Sequence, residues 1–283
     1  MNKKSPLKNT QSKPIKPAKL GKEKANSAKD TSWGSVATWY DKHLEKSGDT
    51  YHEKVVYPNL LRLLGTIKDK HLVDLACGQG QFSWLLSEHG AKVIGVDIGK
   101  ELIEIAEKKN KDHKFGSHFF VSPSHDLFMV KDGTQDVVVC VLALQNIEKL
   151  HETIKEVSRV LQSGGKFLCV INHPSFRNPR HTHWGFDEHE KIQYRRVDQY
   201  LSESKIKIDM TPGSAIDKKF TLSFHRPLQV YVKAFAKAGL AVTRLEEWES
   251  HRKSEQGPRQ KPENDSRKEI PLFMCMELTK FGK

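Results

Sequence analysis

The sequence predicts an α/β domain built on a doubly wound, mostly parallel sheet, and three observations carry that expectation. Apolar strand-like runs, at roughly 71–76, 92–97, 118–122, 136–142 and 166–172, alternate with helical patterns at about 80–89, 99–110 and 148–162. Runs such as Val137-Val138-Val139-Cys140-Val141-Leu142 are apolar throughout, as strands covered on both faces require. Finally, Leu72-Val73-Asp74-Leu75-Ala76-Cys77-Gly78-Gln79-Gly80 reads as a strand ending in an acid, followed by a glycine turn that opens a helix. The next strand, Lys92-Val93-Ile94-Gly95-Val96, ends in Asp97. Sheets of this kind bind ligands outside the carboxyl ends of their strands.

Charge is unevenly spread. The chain of 283 residues carries a net +12, but residues 1–30 hold nine lysines against Glu23 and Asp30, which puts +7 in the tail and leaves +5 for the rest. With Pro6, Pro14 and Pro17 and almost no aromatic residue, this tail is expected to be disordered. It serves as a solvated extension, a non-specific anchor for nucleic acid or an anionic surface, or a targeting segment. It has neither the apolar run of a signal peptide nor the arginine pattern of a transit peptide. No stretch approaches 18 apolar residues, so no membrane span is expected. Cys77, Cys140, Cys169 and Cys275 lie in or beside apolar runs without CxxC spacing, which points to core thiols in a reducing compartment, the cytoplasm.

Ordered structure is expected from Thr31 or Ser32, as cap of a helix through Trp33 to Glu45. After Gly48-Asp49 a second helix runs from about His52 to Leu64, its register marked by Val55, Val56, Leu60, Leu61 and Leu64, with Pro58 imposing a kink or an irregular first turn. Residues 31–67 are thus read as a helical lid within a domain spanning 31–283. Gly164-Gly165 terminates the helix ahead of the fifth strand. From 173 to 225 the composition shifts to His, Arg, Tyr and Pro. Two alternating pieces there, Ile206–Met210 and Phe220–Phe224, flank Pro212-Gly213 and suggest a β insertion after strand 5, on the substrate side. A helix over Pro227–Ala238 closed by Gly239, a strand at 241–248, a polar loop of about 22 residues and a last strand, Leu272–Leu278, complete the chain.

The cofactor is argued from the first turn. It reads Gly78-Gln79-Gly80-Gln81-Phe82-Ser83, without the third glycine of a dinucleotide site. Asp74, just ahead of it, would repel the phosphates of a dinucleotide but favours the ammonium and sulfonium of S-adenosylmethionine. Asp97 suits either ligand, since it can accept hydrogen bonds from both ribose hydroxyls.

Asp74–Gly80 and Val96-Asp97 resemble the first two motifs of class I S-adenosylmethionine-dependent methyltransferases. Asp136–Ile147 resembles their fourth strand and exit loop, and Glu156–Phe167 the helix and turn before the fifth. The similarity covers roughly 33–172 and is greatest to the type 11 branch, which includes quinone-biosynthesis methyltransferases. It implies a seven-stranded sheet with an antiparallel last strand, the Rossmann-like methyltransferase fold. It also implies cofactor contacts at Asp74, Ala76, Gly78, Gly80, Asp97 and Ile98, with Asp126 and Leu127 at the adenine, Val141 on the cofactor floor and Gln145 facing the acceptor.

Methyl transfer to a hydroxyl or an acidic carbon needs a base. His173, directly after the fifth strand, and then His225 are the candidates, each weighed against a structural role in a turn. Tyr194-Arg195-Arg196 offers paired guanidinium groups for an anionic acceptor, weighed against surface ion pairs, and Tyr40 is a further acceptor-facing candidate. The His181–Glu190 cluster lacks a second half for zinc, so no metal is expected. The function expected is S-adenosylmethionine-dependent methyl transfer to a small organic acceptor, anionic if the arginines act, in a capped pocket. The alternatives are a macromolecular, RNA-type methyltransferase anchored by the tail, a non-enzymatic binding module, and a nicotinamide oxidoreductase.

Overall fold

The computed structural model describes residues 49–113, 116–211, 218 and 220–282. The lysine-rich tail, the first predicted helix and Tyr40 lie outside them. A five-residue π-helical turn, His52–Val56, runs directly into α1 (Tyr57–Leu64), whose first turn carries Pro58. The widened turn resolves the conflict seen in the sequence, because proline lacks the N–H that a continuous α-helix would need.

The strands β1 (His71–Leu75), β2 (Lys92–Asp97), β3 (His118–Val121), β4 (Gln135–Val141) and β5 (Leu161–Asn172) are joined by α2 (Gln81–Glu88), α3 (Lys100–His113) and α4 (Leu150–Val160). After two hairpins come α5 (Leu228–Lys237), β10 (Leu240–Trp248), α6 (Gln260–Glu269) and β11 (Phe273–Lys280). The main sheet has the order β10-β11-β5-β4-β1-β2-β3. β11 is antiparallel to both neighbours, while β1 to β5 pair in parallel. β5 begins five residues earlier than the sequence suggests. Gly164-Gly165 forms an irregularity inside it, with Gly164 at φ +76°, where a helix stop was expected.

The uniformly apolar strands divide their side chains between two cores. Val73, Leu75, Val138, Cys140, Phe167, Cys169 and Ile171 join Ile154, Val157, Tyr231 and Phe235 of α4 and α5 on one face. Leu72, Val137, Val139, Leu168, Val170 and Cys275 join Val55, Val56, Leu60, Phe82 and Leu86 on the other. Each fully buried aliphatic side chain contributes about 1.5–3 kcal/mol.

Two hairpins stand apart from this sheet: β6 (Thr182–Asp187) with β7 (Ile192–Val197), and β8 (Ser204–Asp209) with β9 (Phe220–His225). The second is the insertion expected from the alternating pattern. The first runs through the His181–Glu190 cluster and Tyr194-Arg195-Arg196, where no strand was expected, and α6 occupies the long loop before the last strand.

Candidate active site

The turn between β1 and α2 is set by backbone conformation. Ala76 (φ +57°), Gly78 (φ +57°) and Gly80 (φ +82°) all take positive φ, and Leu142, at the end of β4, does so as well (φ +51°). Non-glycine residues in that region are strained by about 1–3 kcal/mol and concentrate at functional sites. Both Ala76 and Leu142 stand at carboxyl ends of central strands and line a cavity of about 170 Å³. Asp74, Gly78, Asp97, Ile98 and Val141 share its wall, so six of the cofactor-site candidates meet there, Ala76 among them.

The two acids differ in their partners. Asp97 accepts the Gly78 amide on Oδ2 (2.9 Å) and the Gly99 amide on Oδ1 (2.7 Å). Burial raises its pKa, and these backbone donors oppose the rise. Among the described side chains, Asp74 accepts only the Ser83 hydroxyl, at 2.6 Å. Burial pushes its carboxyl up to about 7, with nearby Asp97 adding to the rise against the Ser83 bond. Two buried carboxylates flanking one cavity, with no basic side chain among the described lining residues other than His52, make a cation-seeking site.

S-adenosylmethionine fits this donor set. The acids complement its positive groups, Ile98 is 43% exposed at the wall and offers apolar cover, and Gln79 Oε1 is buried without a partner among the described residues. An ideal Cβ on Gly78 would meet no protein atom within 4 Å, so its absence leaves the wall open to close approach. Asp97 would hold the ribose through the acceptor sites that its backbone donors, Gly78, Gly99 and Ile98, leave open.

Gly80 is different. It is absent from the cavity wall, and a Cβ on it would lie 2.8 Å from the Phe119 ring of β3, so this glycine serves packing. Asp126 and Leu127 also lie off the cavity wall. Asp126 is exposed, while the Leu127 side chain is fully buried in the core. The Leu127 backbone is held from α4, its amide by Glu156 (3.0 Å) and its carbonyl by Arg159 (2.9 Å).

On the acceptor side the placement shifts by one residue. Gln145 is buried and donates back to the Leu142 carbonyl at 2.7 Å, closing its own 3₁₀ turn, whereas Asn146 lines the cavity. The two candidate bases are engaged elsewhere. His173 accepts the Ser175 amide on Nδ1 (3.2 Å), and its Nε2 then donates to Glu247 (2.6 Å), so neither nitrogen is free. His225 donates from Nε2 to the Tyr200 carbonyl at 2.8 Å. Burial lowers the pKa of both rings. Neither lines the cavity; the histidine that does is His52, from the π-helical turn. Its ring stands 5.6 Å from that of Tyr57, which stacks on Phe82 at 4.9 Å. Burial lowers the His52 imidazole below its ordinary value, against the pull of Glu53. The one signal for it in the sequence was its position next to the proline-disturbed turn.

Tyr194, Arg195 and Arg196 do not act as a unit. Strand alternation turns Arg195 inward beside Trp184, 4.9 Å from its ring centroid. Tyr194 and Arg196 face outward, where Arg196 pairs with Asp198 at 3.0 Å. Among the described residues, no group of three or more His, Cys, Asp or Glu side chains is placed to hold a metal. No described helix is long and apolar enough to cross a membrane.

Residues 73–169 match the family described as a methyltransferase domain, type 11. The chain is 28% identical over 151 residues to a demethylmenaquinone methyltransferase of Lactococcus lactis, covering 50% of this chain and 58% of that one. It is 30% identical over 109 residues to a ubiquinone biosynthesis O-methyltransferase of Coxiella burnetii, covering 38% and 46%. The chain thus spans about half the length of the curated relatives it matches. Among solved structures, S-adenosylmethionine-dependent methyltransferase folds from Listeria monocytogenes (24% identity, 80% and 98% coverage) and Mesorhizobium loti (23%, 78% and 96%) each superpose with a TM-score of 0.62. The strand order, the glycine turn between two acids and the family match agree: residues 73–169 belong to the type 11 branch of the class I, S-adenosylmethionine-dependent methyltransferases.

Proposed function

We propose that the chain transfers a methyl group from S-adenosylmethionine to a small organic acceptor. The observation that carries this reading is the single cavity on which Asp74, Asp97, the glycine turn, Asn146 and His52 converge. The cofactor supplies an electrophilic methyl carbon, and the protein binds, orients and excludes water. The acceptor's lone pair forms the new bond to carbon while the sulfonium keeps the pair of the bond that breaks. Where the acceptor is a hydroxyl or an acidic carbon, neutral His52 receives its proton. Asn146 is placed to orient the acceptor.

Quinone-biosynthesis relatives support a small acceptor over a macromolecule. All four cysteines are unpaired and three are buried, which supports a reducing, cytoplasmic setting. The test is formation of S-adenosylhomocysteine by the full chain with a panel of phenols, catechols and quinols. Turnover with at least one is expected. Turnover with RNA alone would transfer the chain to the macromolecular class.

A further inference from the structure

We propose that a second, smaller cavity on the β5 side of the sheet rim is an anion subsite that takes a carboxylate or phosphate group of the acceptor. The identity of the bound molecule rests on the small-acceptor reading above; the site itself does not. Three guanidinium groups converge on this cavity. Arg177 comes from the segment after β5, Arg195 from the inward face of β7 and Arg267 from α6, with Tyr51, Phe176 and Trp184 between them. No carboxylate stands among the described residues that line it.

The contrast with neighbouring charges is informative. Around the same hairpin Arg196 pairs with Asp198, and both Lys191 and Arg259 pair with Glu188. The three lining arginines have no ion pair among the described residues, and the Arg177 guanidinium has no hydrogen bond to any of them either. Burial lowers the pKa of Arg177 and of Arg195, and Arg177 depresses Arg195 further, so the two charges feel one another. An uncompensated pair of guanidinium groups gains most from an oxyanion, which each can meet with two parallel donors.

Arg195 is already fixed for that role. Its Nε donates to the Phe176 carbonyl (3.0 Å), its Nη2 to the Thr182 hydroxyl (2.7 Å), and its Cζ lies over the Trp184 ring. Tyr51 is fixed too, bonded to Ser250 at 3.1 Å and set edge-on to Phe273. The cavity of about 60 Å³ is roughly twice the ~30 Å³ share of one water. That gives room for an oxyanion group. The consecutive residues Tyr51 and His52 line the two cavities, which therefore share the turn that presents His52.

The test is calorimetric titration of the full chain, with and without S-adenosylhomocysteine, using phenyl phosphate, benzoate and, as neutral control, phenol. At least one anion is expected to bind ten or more times more tightly than phenol, and the tighter of the two names the group recognised. Arg177→Gln is the primary variant, because the guanidinium makes no hydrogen bond or ion pair to the described residues that its loss would break. It and Arg267→Gln should each weaken the anion at least tenfold while phenol and S-adenosylhomocysteine are unaffected. Equal binding of phenol and both anions, or anion binding unchanged by Arg177→Gln, overturns the site. If the anion binds through Arg177 but S-adenosylhomocysteine does not bind at all, the methyl-transfer reading fails while the subsite stands.

Discussion

The Gly78 amide donates to Asp97 Oδ2 at 2.9 Å, so the acid that ends β2 holds the glycine turn that follows β1. One carboxylate therefore has two duties, shaping the turn and presenting its remaining lone pairs to the cavity. Asp97→Ala removes both. It is expected to weaken S-adenosylhomocysteine binding by about 1–3 kcal/mol. Asp97→Asn, which can keep one backbone acceptor, should lose less. Titration calorimetry on the two variants checks the order.

Asp74 is expected to make cofactor binding depend on pH. Its carboxyl is pushed up to about 7 by burial and by Asp97, and a bound cation favours its ionised form. Affinity for S-adenosylmethionine should therefore rise with pH up to about 7 and then level off, by at most about tenfold per unit. The stability of the ligand-free protein follows the opposite sign. A folded pKa above the unfolded one means that the folded state binds the proton more tightly, so this group's contribution declines as pH rises from about 4 to about 7. Asp74→Asn should flatten both profiles; denaturant melts and titrations at pH 5 to 8 measure them.

His52 is neutral at pH 7, because burial lowers its pKa below 6.5. For a hydroxyl or carbon acceptor, the methylation rate should climb with pH through a midpoint lower than that of an ordinary imidazole and then level off. His52→Gln should cost about 10²–10⁴-fold in turnover with cofactor affinity preserved. His173→Gln, by contrast, should lower stability through the lost Glu247 and Ser175 bonds and leave the pH profile in place.

Gly80 separates packing from binding. A Cβ there meets the Phe119 ring at 2.8 Å and occupies a positive φ. Gly80→Ala should destabilise the fold by about 2–4 kcal/mol, combining left-handed strain with overpacking. Phe119→Leu in the same chain should recover part of that loss, as thermal melts would register.

The seven-stranded sheet was legible because its strands are buried on both faces, and burial writes itself as uninterrupted apolar runs. Where burial is slight the sequence is mute. The β6–β7 hairpin is largely exposed, and α6, with the sequence QKPENDSRKE, buries only Ser266, so neither carries an apolar stripe. The glycine turn and its two acids were readable from residue type and spacing. Which neighbour faces the cavity was not. The 3₁₀ turn at Leu144–Asn146 rotates successive residues by about a third of a circle, so Gln145 turns back and Asn146 faces the cavity. Likewise the alternation of β7 separates Arg195 from Arg196, and only the folded chain brings Arg195 beside Arg177 and Arg267.

The most direct measurement is titration of the full chain with S-adenosylhomocysteine and, separately, with NAD. Saturable binding of S-adenosylhomocysteine that Asp97→Ala weakens, with no binding of NAD, is the predicted result. Binding of NAD alone, or S-adenosylhomocysteine affinity indifferent to Asp97, would contradict the assignment of this cavity.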